Sequence, residues 1–340
     1  MADEWSCYWV LASGSLVRYW ELERLREIGM AQPKVTELVR YDLRNRLMAY
    51  EQNRIAFLHK KCPISRQELI EWIGNTPGPR LLILNTVQNA AVIASDMEQK
   101  YGRRCVEHLS TALTPEDRSK TINRIKKRLE NIFDTEWTLV ATSCVEAGVD
   151  FSFRTGFREM SSLLSLLQAA GRVNRHGKHA DAKMWSFSLK DDSMLTKNKS
   201  IESSSAVLRN FFENDISISP ELSTRSMNDE IIHDDSCMKE IKNLLEQENL
   251  MQFQTVDSKF EVIDNDTVTA VVDETLAKTI ASGKGDWSTL QKKSVSVRRT
   301  KVKSWNMKAI AGDVYQWTLG YDDFLGYMYG VLNAGGAVFW

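Results

Sequence analysis

Gln168, Arg172 and Arg175 follow one another at steps of four and three residues in LLQAAGRVNRHG, residues 166–177. On an α-helix these steps bring side chains to one face, so we expect all three to project from a single helix. Two guanidinium groups one turn apart form a fork that suits phosphate oxygens. The alternative is the solvated face of an ordinary amphipathic helix, which two arginines alone do not exclude.

A second polar segment lies just upstream, in VATSCVEAGVDFSF, residues 140–153. A predicted strand ends at Thr142, and the loop after it carries Glu146, Gly148 and Asp150. In parallel sheets, ligands bind at the carboxyl ends of the strands. We therefore expect this loop and the arginine segment to face one shared cleft.

The elements that must position these residues alternate along the first part of the chain. Short apolar runs predict strands, and apolar residues at helical spacing predict helices. The strands are predicted at 7–13, 80–86, 105–110, 137–143 and 183–189, and the helices at 16–29, 87–102 and from Thr114 onward. Strands that alternate with helices through short links indicate an α/β fold, with a parallel sheet covered on both faces.

The alternation ends near residue 190, where we place a domain boundary. Residues 191–236 are rich in Ser, Asn and Asp and are predicted to be a linker or loop region. Residues 237–340 are predicted to form a smaller, mixed α+β C-terminal domain that begins with a helix at 237–251.

A basic run lies in this C-terminal part, at residues 291–308, with Trp287 shortly before it and Trp305 within it. It contains no acidic residue, and its basic side chains are Lys292, Lys293, Arg298, Arg299, Lys301, Lys303 and Lys308. Basic and aromatic side chains together suit a single nucleic-acid strand with stacked bases. An ordinary basic hairpin with core tryptophans is the alternative, and both stay open.

Composition restricts the class of protein more than its function. The 340 residues include 44 Lys plus Arg and 45 Asp plus Glu, so a basic site would have to be local. The five cysteines are scattered, without a C-x-x-C pair, which is typical of a reducing compartment. We see no signal peptide and no apolar run of ~18 residues, and therefore expect a cytoplasmic protein without membrane contact.

Four blocks together carry a family resemblance. ATSCVEAGVDFSF and QAAGRVNRHG resemble the fifth and sixth motifs of superfamily 2 helicases, and LLILNTVQNA and HLSTALTPEDR resemble the fourth-motif region. Their order and spacing over about residues 80–180 most closely resemble the helicase half of the CRISPR-associated helicase–nuclease of type I systems. The resemblance implies a RecA-like second helicase lobe at residues 1–190.

The same resemblance implies roles for individual residues. Arg172 and Arg175 would be arginine fingers on the γ-phosphate of ATP, and Gln168 would position the nucleotide or the attacking water. The loop residues Asp150, Gly148 and Glu146 would bind ATP or couple it to DNA. Contacts to the backbone of one DNA strand would come from Asn85, Thr86, Ser110, Thr111 and Thr142, and in the tail from Arg298, Arg299, Lys301 and Lys303.

Other parts of such a helicase are missing from this sequence. It has no G-x-x-x-x-G-K-[ST] loop for phosphates, and no nearby acidic pair that would hold Mg²⁺. No cluster of histidines and aspartates has the spacing of a metal site, and we expect none here. We therefore expect ATP with Mg²⁺ to be bound only together with a first lobe, on the same longer chain or a separate subunit.

The main hypothesis is an ATP-dependent single-stranded DNA translocase component of CRISPR interference. Its expected partners are the first lobe, single-stranded DNA and a CRISPR surveillance complex, and we expect it to be inactive as an ATPase alone. Two alternatives remain: a non-catalytic lobe that binds nucleic acid or a partner, and a fragment of a superfamily 2 RNA helicase.

Overall fold

The structure is a computed structural model that describes residues 10–27, 35–233, 235–259 and 266–335. Its α-helices, in chain order from α1 to α13, are Glu23–Glu27, Tyr41–Arg54, Arg66–Gly74, Val87–Tyr101, Pro115–Glu130, Leu163–Ala170, Glu202–Glu213, Ser223–His233, Asp235–Asn249, Phe253–Lys259, Glu274–Ala281, Trp287–Lys292 and Met328–Asn333. Its strands, β1 to β10, are Ala56–His59, Arg80–Ile83, Val106–Leu109, Thr138–Ala141, Thr155–Glu159, Lys183–Phe187, Thr267–Val271, Ser294–Arg298, Lys308–Ala311 and Val314–Gln316.

The chain divides into two units by its internal contacts. The first consists of Met1–Asn53, Met160–Gln168 and Ser200–Phe260, and the second of Arg54–Glu159, Ala169–Lys199 and Glu261–Trp340. The described elements of the first unit are helical. Its small core is formed by Val17, Leu22, Ile231 and Met238, with Leu25, Leu164, Met227 and Ile241 packed around them.

The second unit contains a six-stranded sheet in the order β1-β6-β5-β2-β4-β3, in which every neighbouring pair is parallel. Every residue of β2, β3 and β4 is buried, as expected for strands covered on both faces. Because all six strands run the same way, their carboxyl ends lie along one edge of the sheet. The loops that leave this edge carry most of the predicted residues of the lobe.

A separate, mixed sheet follows in the same unit, in the order β8-β7-β10-β9. Strands β7 and β10 are parallel, and both outer strands are antiparallel to their neighbours. Val268, Val295 and Val297 on this sheet are buried in the same core cluster as the apolar residues of β2 and β4. The predicted α/β class, with a parallel RecA-like sheet followed by a smaller mixed α+β part, is confirmed.

Several local signals were interpreted correctly. Thr86 caps α4 through its hydroxyl oxygen, which accepts the backbone N–H of Asn89, and Thr114 caps α5 in the same way through Asp117. Pro115 follows the second cap at the first helical position, where a missing N–H costs nothing. Both helices therefore begin directly at the carboxyl edge of the sheet.

Other local predictions were wrong. Residues 10–13 of the strand expected at 7–13 form no strand, and residues 7–9 lie outside the described part. The helix expected at 16–29 is a short 3₁₀ turn, Tyr19–Glu21, followed by α1, because Leu22 is extended between them. The region 191–236, expected to be loops, contains α7 and α8, whose apolar faces bury Val207, Phe211 and Ile231.

The domain boundaries at 190 and 236 stay a proposal. Among the described residues, no helix is both long and apolar enough to cross a membrane.

Candidate functional site

The residues of the lobe that were predicted to contact DNA follow three neighbouring β-strands. Asn85 comes two residues after β2, Ser110 directly after β3, and Thr142 directly after β4. Since β2, β4 and β3 are adjacent in this order, the three residues lie along one stretch of the carboxyl edge. The parallel fold thus brings together residues that are up to 57 positions apart in the sequence.

Asn85 is held by charged residues at the end of β5. Its backbone N–H donates to Glu159 Oε2 at 2.8 Å, and its side-chain oxygen accepts from Arg158 Nη1 at 2.6 Å. Arg158 also forms an ion pair with Glu146, with Nε and Oε1 3.0 Å apart and both side chains buried. Burial raises the pKa of the Glu159 carboxyl and lowers that of the Arg158 guanidinium.

Thr86, next to Asn85, is engaged in internal bonds. Its hydroxyl caps α4 and also accepts a hydrogen bond from the Thr196 hydroxyl at 3.0 Å. Asn89 exchanges two hydrogen bonds with the backbone of Thr196. The start of α4 is therefore fixed against residues 194–196, and the Thr86 hydroxyl oxygen already accepts two hydrogen bonds.

The loops after β3 and β4 are tied to each other. Thr142 donates its backbone N–H to the carbonyl of Leu109 at 3.3 Å, and the Cys144 thiol donates to the same carbonyl at 3.4 Å. Ser110 is fully buried, and its hydroxyl accepts the N–H of Ala112. Thr111, in contrast, is exposed and makes no hydrogen bond within the described part of the chain.

Arg118, in the first turn of α5, was not among the predicted residues, although the quoted block TPEDR ends on it. Its Nε is buried and has no hydrogen-bond partner among the described residues. Its positive charge acts on the Cys144 thiol, whose pKa burial nevertheless raises. A guanidinium without a carboxylate partner therefore lies close to the loop after β4.

Arg172 is fastened to the loop that follows β4. Its Nε donates to the carbonyl of Val145 at 3.1 Å, and its Nη2 to the carbonyl of Glu146 at 2.8 Å. Burial and the neighbouring charge of Arg175 lower its pKa, although an arginine stays protonated at neutral pH. The Glu146 carboxylate is in turn held by Arg158. Glu146 and Arg172 therefore join the loop after β4 to the segment after α6.

Arg175 is more exposed and pairs with Asp150, with Nε and Oδ1 3.2 Å apart. Gly148, two residues before Asp150, has a positive φ of 77° and open space around it. A left-handed conformation of this kind favours glycine. The structure thus places Asp150, Gly148, Arg172 and Arg175 in one neighbourhood, with Arg175 and Asp150 at its solvent-exposed side.

The single helix face expected for Gln168, Arg172 and Arg175 is wrong, because α6 ends at Ala170. Beyond it, Phe153 donates its N–H to the carbonyl of Arg172, and Asn174 returns an N–H to Phe153. The Asn174 side chain donates to two further carbonyls, of Arg54 and His179, and its φ is 46°. These contacts turn the chain out of the helix before Arg172. Gln168 belongs to the first unit, where its side chain is exposed.

The predicted tail residues differ in availability. Arg298 and Lys303 are exposed. Arg299 is bound by two carboxylates, to Asp266 at 2.9 Å and to Asp313 at 2.7 and 2.9 Å. These bonds raise the pKa of Arg299 and keep its guanidinium occupied. Lys301 lies in the 3₁₀ turn that follows β8 and is half-buried.

The aromatic part of the tail prediction is wrong for Trp305. This side chain is buried and packs edge-to-face on Trp317, with ring centres 5.5 Å apart, and against Tyr327. It therefore cannot stack on a base. Trp287 is exposed at the start of α12. The run 291–308 is also not a hairpin, because β8 and β9 lie at opposite edges of their sheet.

Metal-binding geometry is absent from the described part of the chain. No three His, Cys, Asp or Glu side chains lie together as a metal site requires.

Comparison with known proteins now bears on the residues just described. Residues 77–178 match the family model described as CRISPR-associated nuclease/helicase Cas3, C-terminal. These residues are similar to the C-terminal part of Cas3. The match confirms, over this range, the resemblance predicted from the four motif blocks. We call residues 77–178 the Cas3-like segment. No curated protein sequence matches the chain.

Solved structures extend the similarity at the level of the fold. A crystal structure of T. fusca Cas3 with ATP superimposes with a TM-score of 0.52 at 14% identity, over 77% of this chain and 39% of that one. A CRISPR RNA-guided surveillance complex in a pre-nicking state matches with a TM-score of 0.50 at 13% identity, over 77% and 41%. The chain therefore spans about two-fifths of the length of the chains it matches.

The Cas3-like segment contains the charged residues that sequence reasoning missed. Arg158 and Glu159 lie in TGFRE, the sequence of β5, which was not predicted as a strand. An arginine and a glutamate inside an otherwise buried run indicate a fixed polar network, and this signal was available. The role of Asn174 was not readable, because it depends on carbonyls from Arg54 and His179.

Proposed function

We propose that this chain supplies the second helicase lobe and C-terminal domain of an ATP-dependent single-stranded DNA translocase that acts in CRISPR interference. The family match of residues 77–178 and the Cas3 fold support the helicase class. ATP and a surveillance complex are named for the similar structures and are proposed here by extension. Hydrolase activity, the binding of ATP and DNA, and a cytoplasmic location belong to the same proposal.

The observation that carries the DNA part is the free polar surface at the ends of β3 and β4. Thr111 is exposed, and neither Thr111 nor the buried Nε of Arg118 has a hydrogen-bond partner among the residues that the structure describes. Backbone amides, hydroxyls and an unpaired guanidinium are the groups that bind phosphates without reading a sequence. Asn85, Ser110 and Thr142 would shape this surface from within, since their polar groups are bound internally.

The nucleotide part rests on Arg172 and Arg175. In the proposed enzyme, a first lobe holds ATP and Mg²⁺, and the two guanidinium groups stabilise the charge that develops on the γ-phosphoryl group. Arg175 is the freer of the two, since an exposed ion pair with Asp150 is weak and readily exchanged. Arg172 would position the loop between Val145 and Asp150 as the lobes close. Gln168 would orient the attacking water.

The test of the DNA part is the binding of a fluorescent single strand to the purified chain at several salt concentrations. We expect Arg118→Ala to weaken binding and to reduce the salt slope by about 0.7, the amount for one phosphate contact on a single strand. Arg104→Ala is the matched control, because this exposed arginine lies at the amino end of β3. Equal affinities in the parent chain and both variants would refute a strand contact here.

The same assay separates the alternatives. A DNA strand and an RNA strand of the same sequence differ in the 2′-hydroxyl, which is the feature a protein can sense. Tighter binding of RNA would favour the RNA-helicase alternative.

A further inference from the structure

The last part of the second unit contacts the loop that carries Thr111. We call residues 110–114 the Thr111 loop and residues 321–327 the C-terminal clasp. Tyr327 donates its N–H to the carbonyl of Ala112 at 3.1 Å, and Thr114 donates its N–H to the hydroxyl oxygen of Tyr321 at 3.0 Å. Two backbone groups of the loop are therefore satisfied by residues more than 200 positions away in the sequence.

Gly326 makes the close approach possible. Its φ is 64°, and a Cβ placed on it would lie 2.1 Å from the carbonyl oxygen of Ala112 and 2.8 Å from the nitrogen of Leu113. Such distances exclude any side chain without a shift of the loop backbone. The two backbones are in direct contact at this position.

Tyr321 links the loop to the start of α5. Its hydroxyl accepts the N–H of Thr114 and donates to Asp117 Oδ2 at 2.6 Å. The same carboxylate oxygen accepts the Thr114 hydroxyl at 2.9 Å. One tyrosine hydroxyl thus joins the last residue of the loop, which is the cap of α5, to the first turn of the helix that carries Arg118.

The clasp is anchored on β3. His108 Nδ1 lies 2.7 Å from the carbonyl oxygen of Phe324, and the two rings meet edge-to-face. On the Phe324 ring, the Arg103 guanidinium stacks at 3.9 Å from the ring centre. Phe324 is buried, so the clasp has a fixed attachment beside the strand that leads into the Thr111 loop.

We propose that the C-terminal clasp is a positioning element for nucleic-acid binding, with Tyr321 as its positioning residue. It holds the Thr111 loop and the first turn of α5 in the arrangement that presents Thr111 and Arg118 to the strand backbone. In this proposal the clasp itself does not contact the nucleic acid. This inference rests on the proposed function, because it assigns the reason for the contact to that same surface.

The test combines two measurements on the full chain. Hydrogen–deuterium exchange of the peptides that span residues 106–118 reports the order of the loop, and a fluorescent oligothymidine strand reports binding. Tyr321→Phe removes the hydroxyl and leaves the ring. We expect faster exchange in the Thr111 loop and a dissociation constant raised about two- to tenfold, the effect of one hydrogen bond.

Two control variants separate positioning from general stability. Tyr315→Phe removes a hydroxyl from β10 that has no hydrogen bond among the described residues, and it should change neither measurement. Val331 is a buried residue of α13, so Val331→Ala opens a cavity there. It should lower the melting temperature without weakening the binding of the oligothymidine strand. If Val331→Ala weakens oligothymidine binding as much as Tyr321→Phe does, general destabilisation explains both effects and the proposal is rejected.

The remaining outcomes distinguish the clasp from the proposed function. Unchanged exchange in Tyr321→Phe would show that the clasp does not order the loop, whatever the affinity. Faster exchange with unchanged affinity, while Arg118→Ala weakens binding, would reject the clasp and leave the proposed function intact. If neither Tyr321→Phe nor Arg118→Ala weakens binding, the proposal that Thr111 and Arg118 contact a nucleic-acid strand is itself refuted.

Discussion

Arg172 and Arg175 differ in how firmly each guanidinium is held. Arg172 donates to two backbone carbonyls, which keep a fixed position in the fold. Arg175 pairs with the carboxylate of an exposed aspartate, Asp150. To bind a phosphate held by a separate lobe, an arginine has to break the contacts that it makes here. The free energy required is smaller for Arg175, because it would lose only an exposed ion pair. For this reason we propose Arg175, before Arg172, as the arginine finger.

His108 predicts a pH dependence of stability. Burial lowers its pKa from 6.5 to about 4 in the folded chain, and Arg103 adds to this, while the hydrogen bond to Phe324 opposes it. In the unfolded chain the imidazole takes up a proton as the pH falls through 6.5, whereas in the folded chain it stays neutral until about 4. The unfolded state binds more protons in this window, so stability is lost as the pH falls from about 6.5 to about 4.

The expected loss is about 3 kcal/mol over that window, from the pKa difference of the two states. Urea unfolding followed by tryptophan fluorescence at several pH values measures it. His108→Asn should lower stability at pH 7 and remove most of the slope between 6.5 and 4. His176→Asn, a change at an exposed histidine, should keep the slope of the parent chain. A slope that is unchanged in His108→Asn would contradict the assignment.

At the scale of elements, the loop after β4 and the strand β5 are joined by the buried pair of Glu146 and Arg158. Removing one partner of a buried pair leaves an uncompensated charge, so we expect Arg158→Met to lower the free energy of unfolding by about 3–5 kcal/mol. The double variant with Glu146→Leu should recover most of this loss. Thermal and urea unfolding of the four chains of this cycle provide the measurement.

The pair of Arg154 and Asp181 is the matched control for this cycle, since Arg154 directly precedes β5 and the pair is partly open to water. Arg154→Met should change stability by less than about 1 kcal/mol. A double variant no more stable than Arg158→Met would mean that Arg158 acts through Asn85 instead of Glu146.

The elements also show what the sequence could and could not predict. Strands β2 and β4 were readable because continuous apolar runs fill both of their buried faces. Strand β5 was missed because two of its five residues are charged, and β1 because it lies at the sheet edge and is only partly buried. The end of α6 was missed although Gly171 directly follows it, because long-range contacts of Asn174 turn the chain away from the helix. Contacts between distant segments, such as those of the C-terminal clasp with the Thr111 loop, produce no periodic pattern in the sequence.

At the scale of the whole molecule, the proposed function divides the groups needed for ATP hydrolysis between this chain and a first lobe. This sequence contains arginines that would stabilise the transferred phosphoryl group but no G-x-x-x-x-G-K-[ST] loop and no recognisable Mg²⁺ ligands. Positioning of the phosphates by that loop and by the metal supplies most of the catalysis in this reaction class. In the proposed enzyme a first lobe would supply these groups, so ATP hydrolysis would require both lobes.

We accordingly expect the purified chain to show no sustained ATP hydrolysis, with or without single-stranded DNA. Affinity capture from native cells, read by mass spectrometry, should yield peptides with a phosphate-binding lysine loop, from a longer form of this chain or a stable partner. That assembly should hydrolyse ATP in response to DNA, and Arg175→Ala should reduce its kcat by about 10³-fold or more, as for other arginine fingers. Activity of the chain alone that Arg175→Ala abolishes would overturn the divided arrangement. Capture without such peptides would favour the non-catalytic binding lobe, because the two arginines would then have no nucleotide to complete.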